Sequence, residues 1–597
     1  MKRPVRITAT VLAAFGAMTG AALTSAPAFA NSASSDYFRA RVQRTAVPQL
    51  LTRDDRDFYG ALFAALQRED WSKVQAMLGE RADGPLHAVA RSEFYLAANS
   101  PKVEGAPLAA LLTTGRELPW ADKIASLAAK RGIADLPSLP GAQRLVSLPA
   151  APKRVRPRSI GDGTMPGGIA DAILLAIKND DPTGARALLD GIDAGLSSEA
   201  RAEWRQRVAW SFYIENDDAQ ALAVARSVAD GSGPWVAEGW WTVGLAAWRL
   251  GGCEEAAEAF QKSAAGAENA DLASAGYYWA SRAWLRCRAP EKVTASLRAA
   301  AQRRETLYGM IAAEALGLKE AAARPSPDFV SEDWQALRDI ANVRAAVGLA
   351  EIGQEELAGE VLRHQARIGD PRQYAALSRL ARDLGLASTQ LWMAYNAPGG
   401  ARPDEAARYP SPKWTPAAGG WKVDPALVYA HALQESNFRT GAVSPAQAKG
   451  LLQITPITVR QHAPSLAMEA GAVDLTRPET NLAFGQRNLE MLRDSSATGG
   501  LLPKVMAAYN AGLTPVTRWN TEIRDQGDPL LWMESIPYWE TRGYVSVVLR
   551  NYWMYESQAG GESDSRSGLA QGLWPRFPGL AGAGSVRVAQ NGPGRGN

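Results

Sequence analysis

Between about residues 55 and 395, apolar residues recur at three- and four-residue spacing, separated by short polar or glycine breaks. This spacing is typical of amphipathic α-helices. Several windows repeat one shape, in which a tight polar turn joins two apolar runs, as in residues 61–78 and 172–189. A helix pair of about 34 residues cannot bury its apolar face alone, so such pairs are expected to stack. The pattern therefore predicts an α-helical solenoid of irregular tetratricopeptide-like units. A globular helical bundle is the alternative.

Two stretches rich in proline and glycine interrupt the helical pattern. The first, about residues 136–168, predicts a long connection that packs on the solenoid or stays mobile. Its basic run, residues 153–158, is interpreted as a solvated linker rather than a binding patch. The second, residues 397–412, predicts the start of another domain. The expected organisation is an all-α chain with a solenoid over 31–395, a C-terminal domain over 406–556 and a tail over 557–597, where Gly, Ser and Arg prevail. This tail is expected to be disordered, with the Leu573-Trp574 region as the possible exception.

The first 30 residues predict a cleavable export signal. The opening is basic, residues 7–23 are apolar and small, and Ala28-Phe29-Ala30 fits the small-residue cleavage rule. A membrane anchor is the alternative, but the apolar run is diluted with Gly and Thr and falls short of about 20 strongly apolar residues. No later window could cross a bilayer, so we expect a soluble periplasmic protein that begins near Asn31.

Charge and composition exclude several classes of function. The formal net charge of +3 over 597 residues is close to balance and gives no reason to expect a nucleic-acid partner. The four histidines are scattered and the two cysteines, Cys253 and Cys287, are unclustered, so no metal site and no cofactor are predicted. The cysteines lie at similar points of neighbouring helical units. Whether they form a disulfide stays open, because the sequence does not give their separation.

One carboxylate near residue 435 has the setting of a general acid. Asp424-Pro425 predicts an N-cap and a first-turn proline, which begin a helix with Glu435 in its last turn. The negative end of the helix dipole and the apolar neighbours Leu433 and Phe438 both disfavour the ionised carboxylate. A raised pKa is therefore expected, as a general acid near neutral pH requires. Taken alone, such a glutamate is more often an ordinary surface carboxylate.

Four sequence blocks occur together in the C-terminal region and strengthen the interpretation of Glu435 as a catalytic acid. They are His431 to Phe438, Gly450 to Pro456, Ala508-Tyr509-Asn510-Ala511-Gly512 and Glu534 to Val545. In this order they resemble the catalytic domain of soluble lytic transglycosylases, which cleave the glycan strands of peptidoglycan. The resemblance is close over about residues 406–556. It implies a lysozyme-like catalytic domain behind an α-superhelical domain, with glycan strands as partner and no cofactor.

The resemblance also implies roles for individual residues. Glu435 is the expected catalytic acid, and the expected substrate-binding residues are Ser436, Gln453, Tyr509, Asn510 and Glu534. Gln453 would face the substrate cleft, Tyr509 would orient the acid or the substrate's N-acetyl group, and Asn510 stands beside it in the same block. Glu534 would support the wall of the site, or pair with Arg542 as a buried structural carboxylate. Ser436 could donate a hydrogen bond to Glu435 or only cap the helix.

Two positions depart from the family pattern. Leu452 stands where methionine is common, which is a near-isosteric apolar exchange. Gln447 stands where glycine is frequent, which puts in doubt only the shape of that turn, since glycine would serve a positive φ there.

The expected reaction uses one carboxylate, whereas glycosidases ordinarily use two. By resemblance, Glu435 protonates the oxygen between N-acetylmuramic acid and N-acetylglucosamine, and then deprotonates the muramyl 6-hydroxyl. The product is a 1,6-anhydromuramyl end, formed without water. The alternatives are a lysozyme-like muramidase that captures water and a non-catalytic peptidoglycan-binding scaffold.

Overall fold

The computed structural model describes residues 36–38, 46–318 and 327–588. The predicted export signal, residues 1–30, lies outside these residues. The described α-helices, in chain order, are α1 (Arg53–Gln67), α2 (Trp71–Glu80), α3 (His87–Leu96), α4 (Gly105–Gly115), α5 (Ala121–Lys130), α6 (Gly167–Lys178), α7 (Pro182–Asp190), α8 (Ser198–Ile214), α9 (Asp218–Ser227), α10 (Trp235–Leu250), α11 (Cys253–Gly266), α12 (Ala270–Arg286), α13 (Pro290–Ala301), α14 (Leu307–Ala315), α15 (Ser331–Leu337), α16 (Ala341–Glu351), α17 (Glu355–Ile368), α18 (Tyr374–Asp383), α19 (Ala387–Tyr395), α20 (Pro425–Ser436), α21 (Pro456–His462), α22 (Pro478–Asp494), α23 (Leu502–Ala511), α24 (Leu513–Glu522), α25 (Pro529–Glu534), α26 (Trp539–Gln558) and α27 (Asp564–Ala570).

Sheet structure is confined, in the described residues, to two short antiparallel pairs. Strand β1 (Leu145–Ser147) pairs with β2 (Asn396–Pro398), and β3 (Trp574–Pro575) pairs with β4 (Ser585–Val586). The prediction of a mainly α-helical chain is therefore confirmed.

Helices α8 to α14 stack in sequence, each packing on the next. Small residues make the close approach possible. A Cβ atom added at Gly244 on α10 would lie 2.5 Å from the Phe260 ring on α11, and one at Gly276 on α12 would lie 2.6 Å from the Phe260 carbonyl oxygen. Side chains larger than hydrogen at these positions would push the helices apart.

The helical region folds back on itself. Its N-terminal helices share a hydrophobic core with α15 to α19 rather than with the helices that follow them in the chain. Glu351 on α16 accepts a hydrogen bond of 2.6 Å from the Leu50 amide, and Asn342 on α16 donates one of 2.7 Å to the Glu117 carbonyl. Helices α6 to α14 instead share a continuous core with the C-terminal domain.

The proline- and glycine-rich connection packs across the molecule. We call residues 152–160 the strap. Arg550 on α26 donates to the Pro152 carbonyl, and Trp235 on α10 donates to the Arg158 carbonyl at 2.9 Å. The side chain of Arg154 is 10% exposed and pairs with Glu238. The interpretation of residues 153–158 as a solvated linker is wrong at Arg154, because carboxylates buried in the facing helices offset the cost of burying its charge.

The predicted disordered tail, residues 557–597, contains ordered structure as far as residue 588, and its last residues lie outside the described ones. Leu569, Trp574 and Phe577 are buried in the main core. Helix α27 packs on α14, where Glu314 accepts hydrogen bonds from Arg566 and Ser567. The few apolar residues of the tail thus pack against the main core. The average composition of the tail is polar and does not predict this packing.

Cys253 and Cys287 form a disulfide with a Cα–Cα distance of 5.5 Å. This bridge joins the start of α11 to the end of α12 and resolves the question that the sequence left open. Within the described ranges, no helix is long and apolar enough to cross a membrane, and no group of His, Cys, Asp and Glu could hold a metal ion.

Candidate active site

Glu435 lies in the last turn of α20, as predicted. Asp424 caps the helix start by accepting a hydrogen bond from the Ala426 amide, and Pro425 occupies the first turn. The helix ends at Asn437, which adopts a left-handed conformation with φ of +51°. The chain therefore turns sharply just after Glu435, and the Glu435 side chain remains partly exposed to solvent.

The carboxylate of Glu435 is held by a chain of two side chains. Tyr544 on α26 donates a hydrogen bond of 2.7 Å to Glu435 Oε1. The Tyr544 hydroxyl also lies 2.7 Å from Nδ1 of His431, which is one helical turn before Glu435. Because the tyrosine proton is given to Glu435, His431 must donate from Nδ1, which assigns its neutral tautomer.

Burial raises the pKa of Glu435 to about 7. The hydrogen bond from Tyr544 acts in the opposite direction, and the nearby charge of Glu540 raises the pKa further. Burial also lowers the pKa of His431 to about 3, so this ring stays neutral at physiological pH. No lysine or arginine of the described residues contributes to the Glu435 shift. The group can therefore hold a proton near neutral pH and release it to a substrate.

Tyr509 on α23 forms a third side of the site. Its ring lies 4.6 Å from the His431 ring and stacks nearly parallel to Tyr544 at 6.4 Å. Its hydroxyl donates at 2.8 Å to the Leu452 carbonyl. Burial, and next the charge of Glu435, raise the pKa of Tyr509. In this structure Tyr509 thus lies close to the acid, while the side chain that contacts the acid is Tyr544.

The Gly450 to Pro456 block forms a tight loop, which we call the glycine loop. Helix α22 holds this loop in position by hydrogen bonds. Asn481 on α22 accepts a bond from the Leu452 amide and donates to the Lys449 carbonyl, each at 2.9 Å. Gly450 has φ of +75°, and an added Cβ would lie 2.3 Å from the Leu475 carbonyl oxygen, so only glycine fits. Gln453 has φ of +47°, and its amide donates at 2.8 Å to the Gly450 carbonyl.

The two departures from the family pattern are accommodated. Leu452 is fully buried and packs against Gly485 on α22. Gln447 adopts φ of +60°, so the turn keeps the left-handed geometry that glycine would favour.

Ser436 does not donate to Glu435. Its hydroxyl is buried and donates at 2.8 Å to the Leu451 carbonyl. It ties the end of α20 to the glycine loop, because its position on the helix directs it inward while Glu435 is directed toward solvent. Asn510 accepts a hydrogen bond of 2.6 Å from Thr541, which joins the end of α23 to the start of α26.

Glu534 lies apart from these contacts. It ends α25, is 3% exposed, and accepts a hydrogen bond of 2.7 Å from Tyr308 on α14. Its ion-pair partner is Arg154 at 3.9 Å. The alternative that paired Glu534 with Arg542 does not appear as a close ion pair. The Arg542 guanidinium lies over the Trp210 ring, and the charge of Glu534 acts on it from a greater distance.

A cavity of about 720 Å³ is lined by the segment 437–442, which begins two residues after Glu435, and by residues of the helical region that include Glu355, Arg363 and Trp392. Glu435 itself is not among the residues that line it. The segment that follows α20 and the helical region therefore border one open cavity.

The transglycosylase SLT domain matches residues 412–530, which include Glu435, the glycine loop and the Tyr509 block. The chain therefore contains a transglycosylase SLT domain over these residues. The soluble lytic murein transglycosylases of Salmonella typhimurium and Escherichia coli K12 are each 33% identical to it over 132 residues, which are 22% of this chain and 20% of theirs. The chain thus spans about a fifth of the length of the curated relatives it matches.

The SLT domain and the helical region together resemble one solved structure. The 70 kDa soluble lytic transglycosylase SLT70 from Escherichia coli superposes with a TM-score of 0.52 at 17% identity, over 87% of this chain and 99% of that chain. At this identity the likeness concerns the fold alone. It confirms the predicted architecture, a helical superhelix followed by a lysozyme-like domain.

Sequence reasoning missed three residues of the SLT site and its support. His431 precedes Glu435 by four residues and so shares its helix face, which is a readable signal. Tyr544 follows Thr541 by three residues, so both lie on the same face of α26. Asn481 carries no such signal, because it belongs to none of the four blocks and is recognised only by its contacts with the glycine loop.

Proposed function

We propose that this chain is a lytic transglycosylase that cleaves the β-1,4 bond between N-acetylmuramic acid and N-acetylglucosamine in peptidoglycan and leaves 1,6-anhydromuramyl ends. Glu435 acts as the single acid and base. The observation that carries the proposal is a partly buried carboxyl in an SLT domain whose pKa is raised to about 7 and whose hydrogen-bond partner is a neutral hydroxyl.

The first step is protonation of the glycosidic oxygen by the neutral Glu435 carboxyl. The bond between that oxygen and the muramyl C1 breaks, and N-acetylglucosamine leaves with the proton. The substrate's own acetamido group stabilises the positive charge at C1, so a second carboxylate is not needed. Tyr544 and His431 then stabilise the new Glu435 carboxylate, because the hydroxyl donates to it.

The second step closes the sugar on itself. The muramyl 6-oxygen attacks C1 while its proton passes to the Glu435 carboxylate. Acid is regenerated and no water is consumed, so the product is one water lighter than a hydrolytic one. Exclusion of bulk water favours this route.

Neighbouring residues would bind or frame the glycan. Gln453 of the glycine loop and Tyr509 of α23 bind the substrate. Tyr509 lies beside the N-acetyl group of the sugar. Asn510 and Ser436 hold the elements around the site, as their bonds to Thr541 and Leu451 indicate. Glu534 supports the site from a distance rather than by contact with the glycan.

We also propose that the protein works in the periplasm after removal of residues 1–30, with a helical domain over 31–395 and a catalytic domain over 406–556. The Cys253–Cys287 disulfide supports an oxidising compartment. No cofactor takes part. The glycan strand is the expected partner.

A muramidase is the second candidate, because one exposed carboxylate, Glu540, influences Glu435. Inverting and retaining glycosidases use a carboxylate pair about 5–9.5 Å apart. If Glu540 directed a water molecule onto C1, the products would carry hydrated reducing ends. A non-catalytic scaffold would release no products.

Mass spectrometry of the muropeptides released from purified sacculi decides among these functions. The wild-type chain should release products that are one water lighter than hydrolytic ones, and Glu435→Gln should release almost none. A solved structure of the 70 kDa soluble lytic transglycosylase contains bulgecin A, so binding of bulgecin A by both proteins serves as the control for an intact cleft. Hydrated ends would establish the muramidase. Equal release by Glu435→Gln would refute Glu435 as the acid.

A further inference from the structure

The connection between α25 and α26 is anchored on the helical domain. We call residues 534–538 the corner. The Ser535 hydroxyl donates to the Leu531 carbonyl at 2.6 Å and accepts from Arg249 on α10 at 2.8 Å. It also lies 2.9 Å from the Tyr213 hydroxyl on α8, which is then the donor, because the single Ser535 proton is already used. Its donor and both acceptor positions are therefore used, which fixes the hydroxyl in one orientation.

The adjacent residue of the corner is anchored independently. Glu534 accepts from Tyr308 on α14 and pairs with Arg154 of the strap. Arg154 also pairs with Glu238 at 3.4 Å and lies over the Trp241 ring at 4.6 Å. This guanidinium thus sits between a carboxylate of the helical domain and one of the corner, with both carboxylates about 3% exposed.

The other end of α25 is held by the same domain. Asp528 caps α25 and forms an ion pair with Arg282 on α12. The short helix is therefore fixed at both ends by side chains of the helical domain and the strap, and the corner has little freedom to shift.

Helix α26 carries this fixed position to the active site. It begins at Trp539, directly after the corner. Thr541 in its first turn meets Asn510, and Tyr544 in its second turn meets Glu435. An α-helix rises about 1.5 Å per residue and is stiff over two turns, so a displacement of the corner displaces the Tyr544 hydroxyl by a similar amount.

We propose that Arg154 and Ser535 are positioning residues for the reaction, which set the contact between Tyr544 and Glu435 by holding the corner against the helical domain. The catalytic geometry is thereby completed by contacts from the strap and the helical domain. This inference rests on the proposed function, because it concerns the efficiency of the same acid.

The test is a double-mutant cycle in the full-length chain. Turnover of sacculi is measured for Arg154→Met, Ser535→Ala, Tyr544→Phe and the combinations with Tyr544→Phe. Lys153→Met is the matched control, because Lys153 is the exposed neighbour of Arg154 on the strap. Ser535→Ala removes one hydroxyl and no charge, so it keeps the test decisive if Arg154→Met does not fold.

A positioning role predicts that Arg154→Met and Ser535→Ala each lower kcat about tenfold with KM little changed, since small misplacements of catalytic groups are costly. Combined with Tyr544→Phe, they should cost little more than Tyr544→Phe alone. Lys153→Met should stay within about twofold of wild type. Effects of the corner variants that multiply with that of Tyr544→Phe would overturn the proposal.

A second readout does not depend on cleavage. The side-chain carboxyl of Glu435 is followed by 13C NMR as the pH is raised, and its signal is assigned by its loss in Glu435→Gln. Without the bond from Tyr544, the Glu435 pKa should rise, so both corner variants should shift the titration upward, as Tyr544→Phe does. An unchanged titration in folded corner variants would contradict the inference. A wild-type chain that releases no products would instead refute the proposed function, with the titration still readable.

Discussion

Two buried or half-buried glutamates, each at the end of a short helix, have opposite surroundings. Glu435 lies in the last turn of α20 beside a neutral hydroxyl and a neutral histidine, and its pKa is raised to about 7. Glu534 ends α25 beside the guanidinium of Arg154 and the Tyr308 hydroxyl. Both belong to motif blocks of the same domain, so the motifs do not separate them.

The difference teaches that the partner's charge decides what a buried carboxylate can do. A cationic partner stabilises the ionised carboxylate, which can then hold two parts of the structure together. Neutral donors in a partly buried site allow the carboxyl group to keep a proton that it can transfer. The first arrangement favours the interface between the two domains. The second favours acid catalysis.

Replacement of Glu435 and of Glu534 by glutamine should affect turnover and stability differently. Glu435→Gln should lose about 10³-fold or more in turnover, because the general acid is removed, and should keep its fold. Glu534→Gln should retain part of its turnover but lose about 1–3 kcal/mol of stability, because Arg154 loses one of two buried partners. Turnover and denaturant unfolding of both variants provide the measurement. Equal loss of turnover in the two variants would remove the distinction.

Tyr544→Phe tests the neutral partner of the acid. The variant lacks the donor that stabilises the Glu435 carboxylate, so turnover should fall about 10- to 100-fold. The pKa of Glu435 should rise above about 7, since that hydrogen bond lowers it. The basic limb of the pH profile of kcat should therefore move to higher pH. His431→Gln, which spares the Tyr544 hydroxyl, should move it less; a basic limb unmoved by Tyr544→Phe would exclude this contact from catalysis.

The raised pKa of Glu435 also predicts a pH-dependent stability. The ordinary pKa is 4.5 and the folded value is about 7, so folding favours the protonated carboxyl. Wild type is then not penalised below about pH 4.5, and it loses stability relative to Glu435→Gln as the pH rises to about 7. The stability difference should change by about 1–3 kcal/mol in favour of the glutamine variant, a range that allows for the partial exposure of Glu435. Urea unfolding at pH 4.5 and 7.5 measures it, and a constant difference would argue against a raised pKa.

Glu540→Gln should have the smallest effect. If Glu435 is the single catalytic carboxylate, this exchange should change turnover by less than about threefold, and it should lower the Glu435 pKa slightly because a neighbouring negative charge is removed. The product masses should stay those of anhydro ends. A loss comparable to that of Glu435→Gln would indicate a carboxylate pair and favour the muramidase.

The sequence was sufficient for the parts of the molecule that depend on local chemistry. The N-cap at Asp424 and the position of Glu435 in the last turn follow from helix rules that act within a few residues. The direction of the Glu435 pKa shift was also predicted, but its main cause in the structure is burial. The helical architecture follows from apolar spacing. These features need no knowledge of distant contacts.

Features that depend on distant partners could not be read in the same way. The donor to Glu435 comes from 109 residues further along the chain, and the partner of Glu534 comes from the strap, whose composition is that of a loop. Ser436 had two possible roles, a hydrogen bond to Glu435 or a cap of the helix. The sequence did not separate them, because the contact that Ser436 makes depends on where the glycine loop lies. The tail was expected to be disordered because average composition hides a few well-placed apolar residues.

The most direct test of the central claim is the titration of Glu435 in the full-length wild-type chain. The 13C signal of its carboxyl, assigned by comparison with Glu435→Gln, should give a midpoint near pH 7, which would show an acid that holds its proton where the enzyme works. A midpoint near the ordinary value of 4.5 would mean that Glu435 is ionised at neutral pH, and it would contradict its role as the single acid.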